Sequence, residues 1–456
     1  MKNGGTAQTA AANRFCVTLK CGNWNVIDSM SLELNGTTIV SMADYKLFWN
    51  NVRAQIGYSP QYVKKHGAES FLYPDAAQSL SYSAATSSTT GDGFSNNAAF
   101  SSSFATSAPS GGATVANDGL VRLATANGIM GTWNYMLKIK LTDLHPIFKE
   151  LDLMANPQIR LRFRVNQGAS AVAVDSGKGM ALTSTTLASG NTCPVIVAAS
   201  STGNPMAGVL AASAGFSIAW GAVVNSLEPT IDGTDMPFTT SRLYVPFVHL
   251  ENPQAIISKP VKKVRYNDCY AQSFNQRAGV GKQSTQFNAA FDLQLSASIK
   301  NAKYVILLPF AEQTGSFASA AVKEFQSPFD SAPWTVHPSS SIRNFNVRIG
   351  SQQVFDISHD YDFHHFTNEI AKISSSNGDL TPELVNGLLD YQTWSLTNRV
   401  LIADVSRLTD RDVPTSIQIQ GTNAGCQGSN MLVIVVSEQE LTYDRLTGEI
   451  LDFTTA

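Results

Sequence analysis

The chain has 456 residues, with 32 Lys and Arg against 35 Asp and Glu, so its formal net charge is −3. Charged residues make up 15% of the sequence, where about 25% is usual. This balance, without a basic or acidic block, argues against a phosphate-tracking groove as the main function of the surface, so any nucleic-acid contact is expected to be local. The polar surface is instead expected to consist largely of the hydroxyls of Ser and Thr and the amides of Asn and Gln. Such a surface can be buried against neighbouring copies at little desolvation cost.

The sequence carries no pattern for secretion or for crossing a membrane. Residues 1–12 lack the apolar core of a secretory signal, so export by the standard route is not expected. The most apolar window, residues 207–224, is interrupted by glycines and serines, so no membrane span is predicted.

The cysteines do not form a metal-binding pattern. Only Cys16 and Cys21 are close together, and no second pair completes a four-ligand zinc site. We interpret the cysteines as reduced, mostly buried thiols in an intracellular setting, and we predict no cofactor. The remaining three are Cys193, Cys269 and Cys426.

The first predicted elements are strands followed by a helix. Strands are predicted over 15–20 and 30–34, and the dipeptide Asn35-Gly36 then favours a type I′ hairpin turn into a strand over 37–41. A helix is predicted over 42–56, where apolar residues recur at helical spacing. These are Met42, Tyr45, Phe48, Val52 and Ile56.

Two long stretches, 79–119 and 167–215, are rich in Ser, Thr, Ala and Gly and almost free of charge. We interpret both as insertions, so the first half of the chain is expected to carry most of the structure added to the basic fold. The first stretch is read as a long loop that lies against another surface, such as a neighbouring subunit, or as a disordered linker.

Between the insertions, a strand is predicted over 133–141, with a short helix ending near residue 153 and a second strand over 159–165. The last segment alternates, so Ile159, Leu161, Phe163 and Val165 are expected to face a core. The intervening Arg160, Arg162 and Arg164 form a row on the other face. Such a row could bind phosphate, but a solvated face, or one turned to another subunit, is the commoner structure.

After residue 243 the chain changes to compact strands joined by short turns, with one short helix predicted over 381–389. Roughly eight of these strands lie in the last 190 residues, and no regular crossover helices separate them. They therefore predict an eight-stranded antiparallel sandwich and not a parallel α/β sheet. The first half contains a similar number of predicted strands when its insertions are left out. The predicted strands are 243–250, 262–266, 287–295, 304–309, 342–349, 354–358, 399–404, 416–420, 432–437 and 449–453.

One cluster of potential metal ligands occurs in the sequence, within residues 359–365. On a strand, Asp360, Asp362 and His364 would share one face and could approach a divalent ion; the alternative is that the histidines cap a helix beginning near Phe366. One strand supplies too few ligands, so no metal is predicted and these three remain the candidates. No catalytic motif and no spaced carboxylate pair is present, which predicts that the protein is not an enzyme.

Short sequence segments in the second half resemble, in the same order, segments of the major capsid proteins with a double jelly roll. These proteins are found in virophages, polinton-like viruses, adenovirus-like viruses and large double-stranded DNA viruses. The similarity extends from about residue 136 to 453, apart from 167–215. The segments are Leu243-Tyr244-Val245-Pro246 with Pro253, residues 262–268, Asn301-Ala302-Lys303, Leu308-Pro309-Phe310, residues 327–333 and 342–350, Asp404-Val405-Ser406-Arg407 and Gly421-Thr422-Asn423.

The resemblance implies an all-β chain of two consecutive eight-stranded jelly rolls, over 1–268 and 269–456. It also implies a homotrimer of pseudo-hexagonal outline that tiles an icosahedral shell, in contact with neighbouring capsomers and with minor capsid and penton proteins. Such a protein is located in the virion and is synthesised and assembled inside the host cell. The alternatives are a minor capsid or vertex component of the same particle and a carbohydrate-binding or carbohydrate-hydrolysing β-sandwich.

Overall fold

The structure is a computed structural model, and it describes parts of the chain separated by gaps. The described residues are 2–3, 15–19, 22–70, 121–122, 132–133, 137–155, 157–165, 168–175, 179–186, 195–199, 216–220, 242–277, 289–311, 342–358, 360–375, 387–396, 399–409, 413–424 and 429–454.

The described strands of the first half are all paired in antiparallel fashion. They form four sheets, with strand orders β1-β11-β8-β9, β4-β3-β7, β2-β10 and β5-β6. The strands are β1 Lys2–Asn3, β2 Phe15–Leu19, β3 Ile27–Leu34, β4 Thr37–Met42, β5 Val121–Arg122, β6 Thr132–Trp133, β7 Ile159–Val165, β8 Gly168–Asp175, β9 Gly179–Thr186, β10 Val195–Ala199 and β11 Phe216–Trp220.

The hairpin predicted from Asn35-Gly36 is confirmed. The two residues have φ angles of 46° and 86°, as a type I′ turn requires. The alternation of β3 buries Met30, Leu32 and Leu34 on one face, so the turn and the alternation agree on the register.

The second half contains nine strands in the part of the chain that the structure describes. They are β12 Val261–Arg277, β13 Ala289–Gln294, β14 Ala302–Ala311, β15 Ile342–Ile349, β16 Gln352–Gln353, β17 Leu401–Asp404, β18 Ile417–Asn423, β19 Ser429–Asp444 and β20 Ile450–Thr454.

The first eight of these strands have the topology of a jelly roll. One sheet has the order β12-β19-β14-β17 and the other the order β13-β18-β15-β16, so the strands numbered in chain order run 1-8-3-6 and 2-7-4-5. All these pairs are antiparallel, and β20 adds to the outer part of β19. Two four-stranded sheets wound in this order form an eight-stranded double Greek key. The expected antiparallel all-β fold is therefore confirmed, whereas an eight-stranded jelly roll in the first half stays a prediction.

Strand β19 lies at the centre of the larger sheet and is buried on both faces over residues 429–437. A strand buried in this way needs a packed layer on each side. The second sheet supplies one layer, and the first half packs against the larger sheet, where the rings of Phe48 and Phe310 meet edge to face at 6.3 Å. The buried core is therefore continuous between the two halves.

Short helices accompany the sheets, and two of them cover sheet surfaces. They are α1 Phe48–Gly57, α2 Pro60–His66, α3 Leu141–Leu144, α4 Ile147–Glu150, α5 Gln254–Ile257, α6 Phe363–Ser375 and α7 Tyr391–Leu396, with 3-10 turns over Asn23–Val26, Asp44–Leu47 and Gly67–Ser70.

The edge strand β17 is closed by side chains of the α6 region. The Tyr361 hydroxyl donates to the Ile402 carbonyl at 2.7 Å and accepts from its N–H at 3.0 Å. The Glu369 carboxylate accepts from the N–H of Asp404 at 2.8 Å. Because an open edge pairs readily with other chains, these contacts block unwanted sheet extension here.

Several element predictions for the first half need correction. The helix predicted over 42–56 begins at Phe48, because Met42 completes the pairing with Met30 and Asp44 has φ 53°. The 167–215 stretch contains β8, β9 and β10, since Val, Thr and Ser alternate compatibly with strands. Of the strand predicted over 133–141, Trp133 lies in β6, residues 137–140 form no strand and Leu141 begins α3, while residues 134–136 lie outside the described residues. The loop predicted over 79–119 lies outside the described residues.

Corrections to the second half concern three segments. Residues 243–250 form no strand and are exposed, and 354–358 form bends after β16. Of the helix predicted over 381–389, only 387–389 are described, and they lie in a turn. Strand β12 runs without interruption through residues 268 and 269, so the second jelly roll includes residues 261–268 that the sequence assigned to the first unit. The division into two units otherwise stays a prediction.

Candidate functional site

A cluster of buried and half-buried polar side chains lies where the first half meets strand β12, and we call it the seam. It consists of Lys46, Trp49, Arg53, Tyr58, Asp143 and His145 from the first half and Tyr266, Asp268 and Cys269 from β12.

Arg53 fixes helix α1 to the segment that contains α3. Its guanidinium donates to the carbonyl of Thr142 at 2.8 Å and to the side-chain oxygen of Asn50 at 3.2 Å. It also lies 5.2 Å from the centre of the Trp49 ring, in the range of a cation–π contact. A charged group of the seam therefore has defined partners instead of solvent.

Asp143 and Tyr58 form the second polar contact of the seam, in which the Tyr58 hydroxyl donates to the Asp143 carboxylate. Burial raises the pKa of Asp143, while the bond from Tyr58 acts in the opposite direction. Burial, together with this hydrogen bond, also raises the pKa of Tyr58. The raised pKa keeps Tyr58 in the neutral form that donates this hydrogen bond, whereas burial makes the Asp143 carboxylate easier to protonate.

His145 is the most enclosed titratable group of the seam and is fully buried. Its Nδ1 accepts the backbone N–H of Ile147 at 3.2 Å, and its Nε2 lies 3.6 Å from Oδ1 of Asp268. Burial lowers the pKa of His145, although Asp268 acts to raise it. Burial would raise the pKa of Asp268, but contacts with His145 and with the Cys269 N–H lower it overall.

The contact between halves extends beyond the seam to the turn between β19 and β20. The Tyr443 hydroxyl accepts the N–H of Asp152 at 3.0 Å, and the Ala155 N–H donates to the Arg445 carbonyl at 2.7 Å. Arg445 also pairs with Asp152 at 3.4 Å. These bonds hold the segment that follows α4 against the second jelly roll.

An apolar segment lies exposed just before the second jelly roll. Within residues 243–250, Tyr244 is 81% exposed and Phe247 is 91% exposed, and four aliphatic neighbours are also exposed. Large apolar side chains exposed together mark a surface that other protein covers in many soluble proteins. The aliphatic neighbours are Leu243, Val245, Val248 and Leu250.

The predicted arginine row exists on β7 and faces solvent. Arg160 and Arg162 pair with Glu33 at 3.4 and 3.7 Å. Arg164 pairs with Asp28 at 3.1 Å. Two carboxylates of β3, Glu33 and Asp28, therefore offset part of the charge of the three arginines, which makes phosphate binding by the row less favourable.

The apolar face of β7 was predicted to lie in a core, and this is wrong for two of its residues. Ile159 is 44% exposed and Phe163 is 41% exposed. Strand β7 lies at the edge of its sheet, beside β3 alone among the described strands, and these two side chains are left partly uncovered.

The candidates Asp360, Asp362 and His364 do not line one strand. Helix α6 begins at Phe363, and Asp362 Oδ1 accepts the N–H of His365 at 2.8 Å, as in an N-cap. Asp360 accepts the N–H of Asn344 at 3.4 Å. Among the residues that the structure describes, no three His, Cys, Asp or Glu side chains converge on one point.

Sequence reasoning missed the pairing of His145 with Asp268, because 123 residues separate the two. The only local signal is a His-Pro step at the start of a helix and an aspartate that ends an apolar alternation. Neither feature predicts the other.

No helix in the described part of the chain is long and apolar enough to cross a membrane.

Comparisons with known proteins give structural neighbours only. No protein-family model matches the chain, and no curated protein matches its sequence. A cryo-EM structure of the Sputnik virophage is similar at 10% identity and a TM-score of 0.44, covering 100% of this chain and 80% of that chain. PBCV-1 VP54, fitted into a reconstruction of the virophage Sputnik, is similar at 8% identity and a TM-score of 0.35, covering 100% and 86%. The mavirus major capsid protein is similar at 10% identity and a TM-score of 0.33, covering 100% and 82%.

Proposed function

We propose that this chain is a major capsid protein that assembles as a pseudo-hexameric homotrimer and tiles an icosahedral virion shell. The observation that carries the proposal is the strand order 1-8-3-6 and 2-7-4-5 in the second half. Jelly rolls of this kind serve as capsid, lectin and cupin domains. The choice among these functions depends on which surfaces the sheets leave open.

Both faces of the larger sheet of this jelly roll are used for packing within the chain. Strand β19 is buried on both sides over 429–437, and the first half occupies the outside of the larger sheet. A lectin needs an open polar groove, and a cupin needs a histidine-rich metal site inside the barrel. The described residues contain no such metal cluster. The arrangement thus favours a structural role, and we propose that the protein is not an enzyme.

Two antiparallel sandwiches in one chain would place six around a threefold axis, which gives the outline of a hexagon. The low charge of the chain, 15% of residues, permits close and repeated contacts without burying unpaired ions. The exposed segment 243–250 is a surface that such contacts would cover. We propose neighbouring capsomers, minor capsid proteins and penton proteins as partners, within a virion whose subunits are made inside a host cell.

The test is the mass and shape of the purified full chain. Light scattering coupled to size exclusion should give three times the 49.0 kDa of one chain, and negative-stain images should show hexagonal particles. A monomer at every workable concentration would contradict the proposal. Copy number in purified virions would distinguish a major from a minor component, and saturable binding on a glycan array would favour a carbohydrate-binding sandwich.

A further inference from the structure

The environment of His145 defines its tautomer. The ring meets Trp49 edge to face at 6.0 Å on one side and Tyr266 at 5.7 Å on the other. Nδ1 accepts the Ile147 N–H, so it carries no proton, and the hydrogen of the neutral ring is on Nε2. Oδ1 of Asp268 lies 3.6 Å from Nε2, just beyond hydrogen-bond distance, so Nε2 is buried without a hydrogen-bond partner.

A second proton on this ring has no place in the closed seam. It would bind to Nδ1, which at present accepts the N–H of Ile147, so that two hydrogen-bond donors would then point at each other. The ring is also too enclosed for water to solvate the imidazolium ion.

Burial is the main cause that disfavours the protonated ring of His145. Asp268 on β12 favours it, and Arg53 on α1 and Lys46 in the 3-10 turn disfavour it more weakly. On the histidine's own segment, Asp143 is engaged by Tyr58. The remaining groups that face it from the packed strands are the hydroxyl of Tyr266 and the buried thiol of Cys269.

We propose that His145 is an acid-sensitive lock between the two halves of the chain: neutral, it closes the seam, and when protonated it must leave its site and so opens the seam. The lock is a property of the folded chain and does not depend on the proposed capsid function. Its effect is expected to be local, because residues 429–437 of β19 are buried on both faces within the jelly roll, although Ser437 at the end of this segment is the strand partner of Asp268.

The sign of the pH effect follows from the lowered pKa of His145. A histidine with a folded-state pKa below its ordinary value of about 6.5 contributes its full stability above that value. The contribution is lost as the pH falls, and the ratio of closed to open seam drops by about tenfold per pH unit until the folded-state pKa is reached.

The test is hydrogen–deuterium exchange of the full chain at pH 7.5, 6.5 and 5.5, corrected for the intrinsic exchange rate. Amides of residues 141–155 report on the seam, since those of His145 and Leu151 close the turns around it. Protection there should fall by about fivefold from pH 6.5 to 5.5, because the open-state imidazole is already about half protonated at pH 6.5. Residues 429–437, at the centre of the sheet, should keep their protection over the same interval.

Two variants assign the effect to His145. His145→Asn keeps an acceptor near the position of Nδ1 but does not titrate, so protection of 141–155 should become independent of pH. The matched control is His66→Asn, because the side chain of His66 is 51% exposed, and this variant should respond to acid as the wild type does. The proposal is overturned by an acid response that persists in His145→Asn or by a wild type that shows none.

If His145→Asn does not fold, Asp268→Asn provides an independent test. It removes the carboxylate that favours the protonated ring, so acid loss of protection over 141–155 should continue to a lower pH than in the wild type. An unchanged acid response in Asp268→Asn contradicts the lock. Equal loss of protection at 429–437 would show global unfolding and also overturn it.

Discussion

The side chain of Asn35, in the turn of the first hairpin, lies directly against Gly448, in the turn between the last two strands. A Cβ atom on Gly448 would be 2.3 Å from Nδ2 of Asn35. The same asparagine accepts the N–H of Gln158 at 2.9 Å and donates to the carbonyl of Thr447 at 3.5 Å. Two turns separated by almost the whole chain are thus interlocked at one end of the molecule.

This relationship predicts that Gly448→Ala destabilises the protein more than a comparable glycine replacement. Both Gly448 and Gly350 have positive φ, at 73° and 58°, so each alanine variant should lose about 1 kcal/mol from backbone strain. Nothing lies within 4 Å of a Cβ on Gly350. Denaturant unfolding should therefore show an additional loss of about 1–2 kcal/mol for Gly448→Ala, and equal losses would contradict the interlock.

Removing the hydroxyl of Tyr361 should destabilise the edge of the larger sheet. Tyr361→Phe leaves both backbone groups of Ile402 without their hydrogen-bond partner, at an expected cost of about 1–3 kcal/mol. The control is Tyr391→Phe, since Tyr391 is 67% exposed. Exchange of the Ile402 amide should also accelerate, and unchanged protection there would show that the hydroxyl does not close this edge.

Truncating the centre of the larger sheet should cost more than any surface change. Leu307 is fully buried on β14, so Leu307→Ala should lower the free energy of unfolding by about 2–5 kcal/mol. Leu451, on β20, is 50% exposed, and Leu451→Ala should cost less than about 1 kcal/mol. Similar losses measured by denaturant titration would mean that the two sheets do not share the core described above.

Asp362 should act as the N-cap of α6. Asp362→Ala should cost about 1 kcal/mol, whereas the exposed Asp356→Ala should be neutral. The bond from the His365 N–H lowers the pKa of Asp362, so its contribution is complete above the ordinary Asp value of about 3.9 and is lost as the pH falls further. A difference between wild type and Asp362→Ala that persists after the carboxyl is protonated would contradict the capping role.

The same pair of proteins tests whether Asp360, Asp362 and His364 bind a metal. Because Asp360 and Asp362 are engaged by backbone N–H groups, added Zn²⁺ should shift the thermal unfolding of wild type and Asp362→Ala equally. Selective stabilisation of the wild type would instead support the metal interpretation.

The sequence by itself determined the local structure wherever one residue type leaves a single low-energy choice. Asn35-Gly36 specifies its turn through backbone conformation alone. The alternation and β-branched residues of β19 and β14 specify strands, and the lack of crossover helices specifies antiparallel pairing. The second jelly roll was therefore predictable as a class of fold.

Only the tertiary structure decided which faces of these elements are covered. The alternation of β7 is that of a half-buried strand, yet Phe163 is 41% exposed, because burial needs a packed layer over that face and alternation does not show whether one is present. Residues 359–365 read equally well as a strand or as the start of a helix, and contacts of Tyr361 with β17 select the helix. His145 and Asp268 meet only because two distant segments pack together, and burial, which sets the protonation of His145, depends on that packing and not on local sequence.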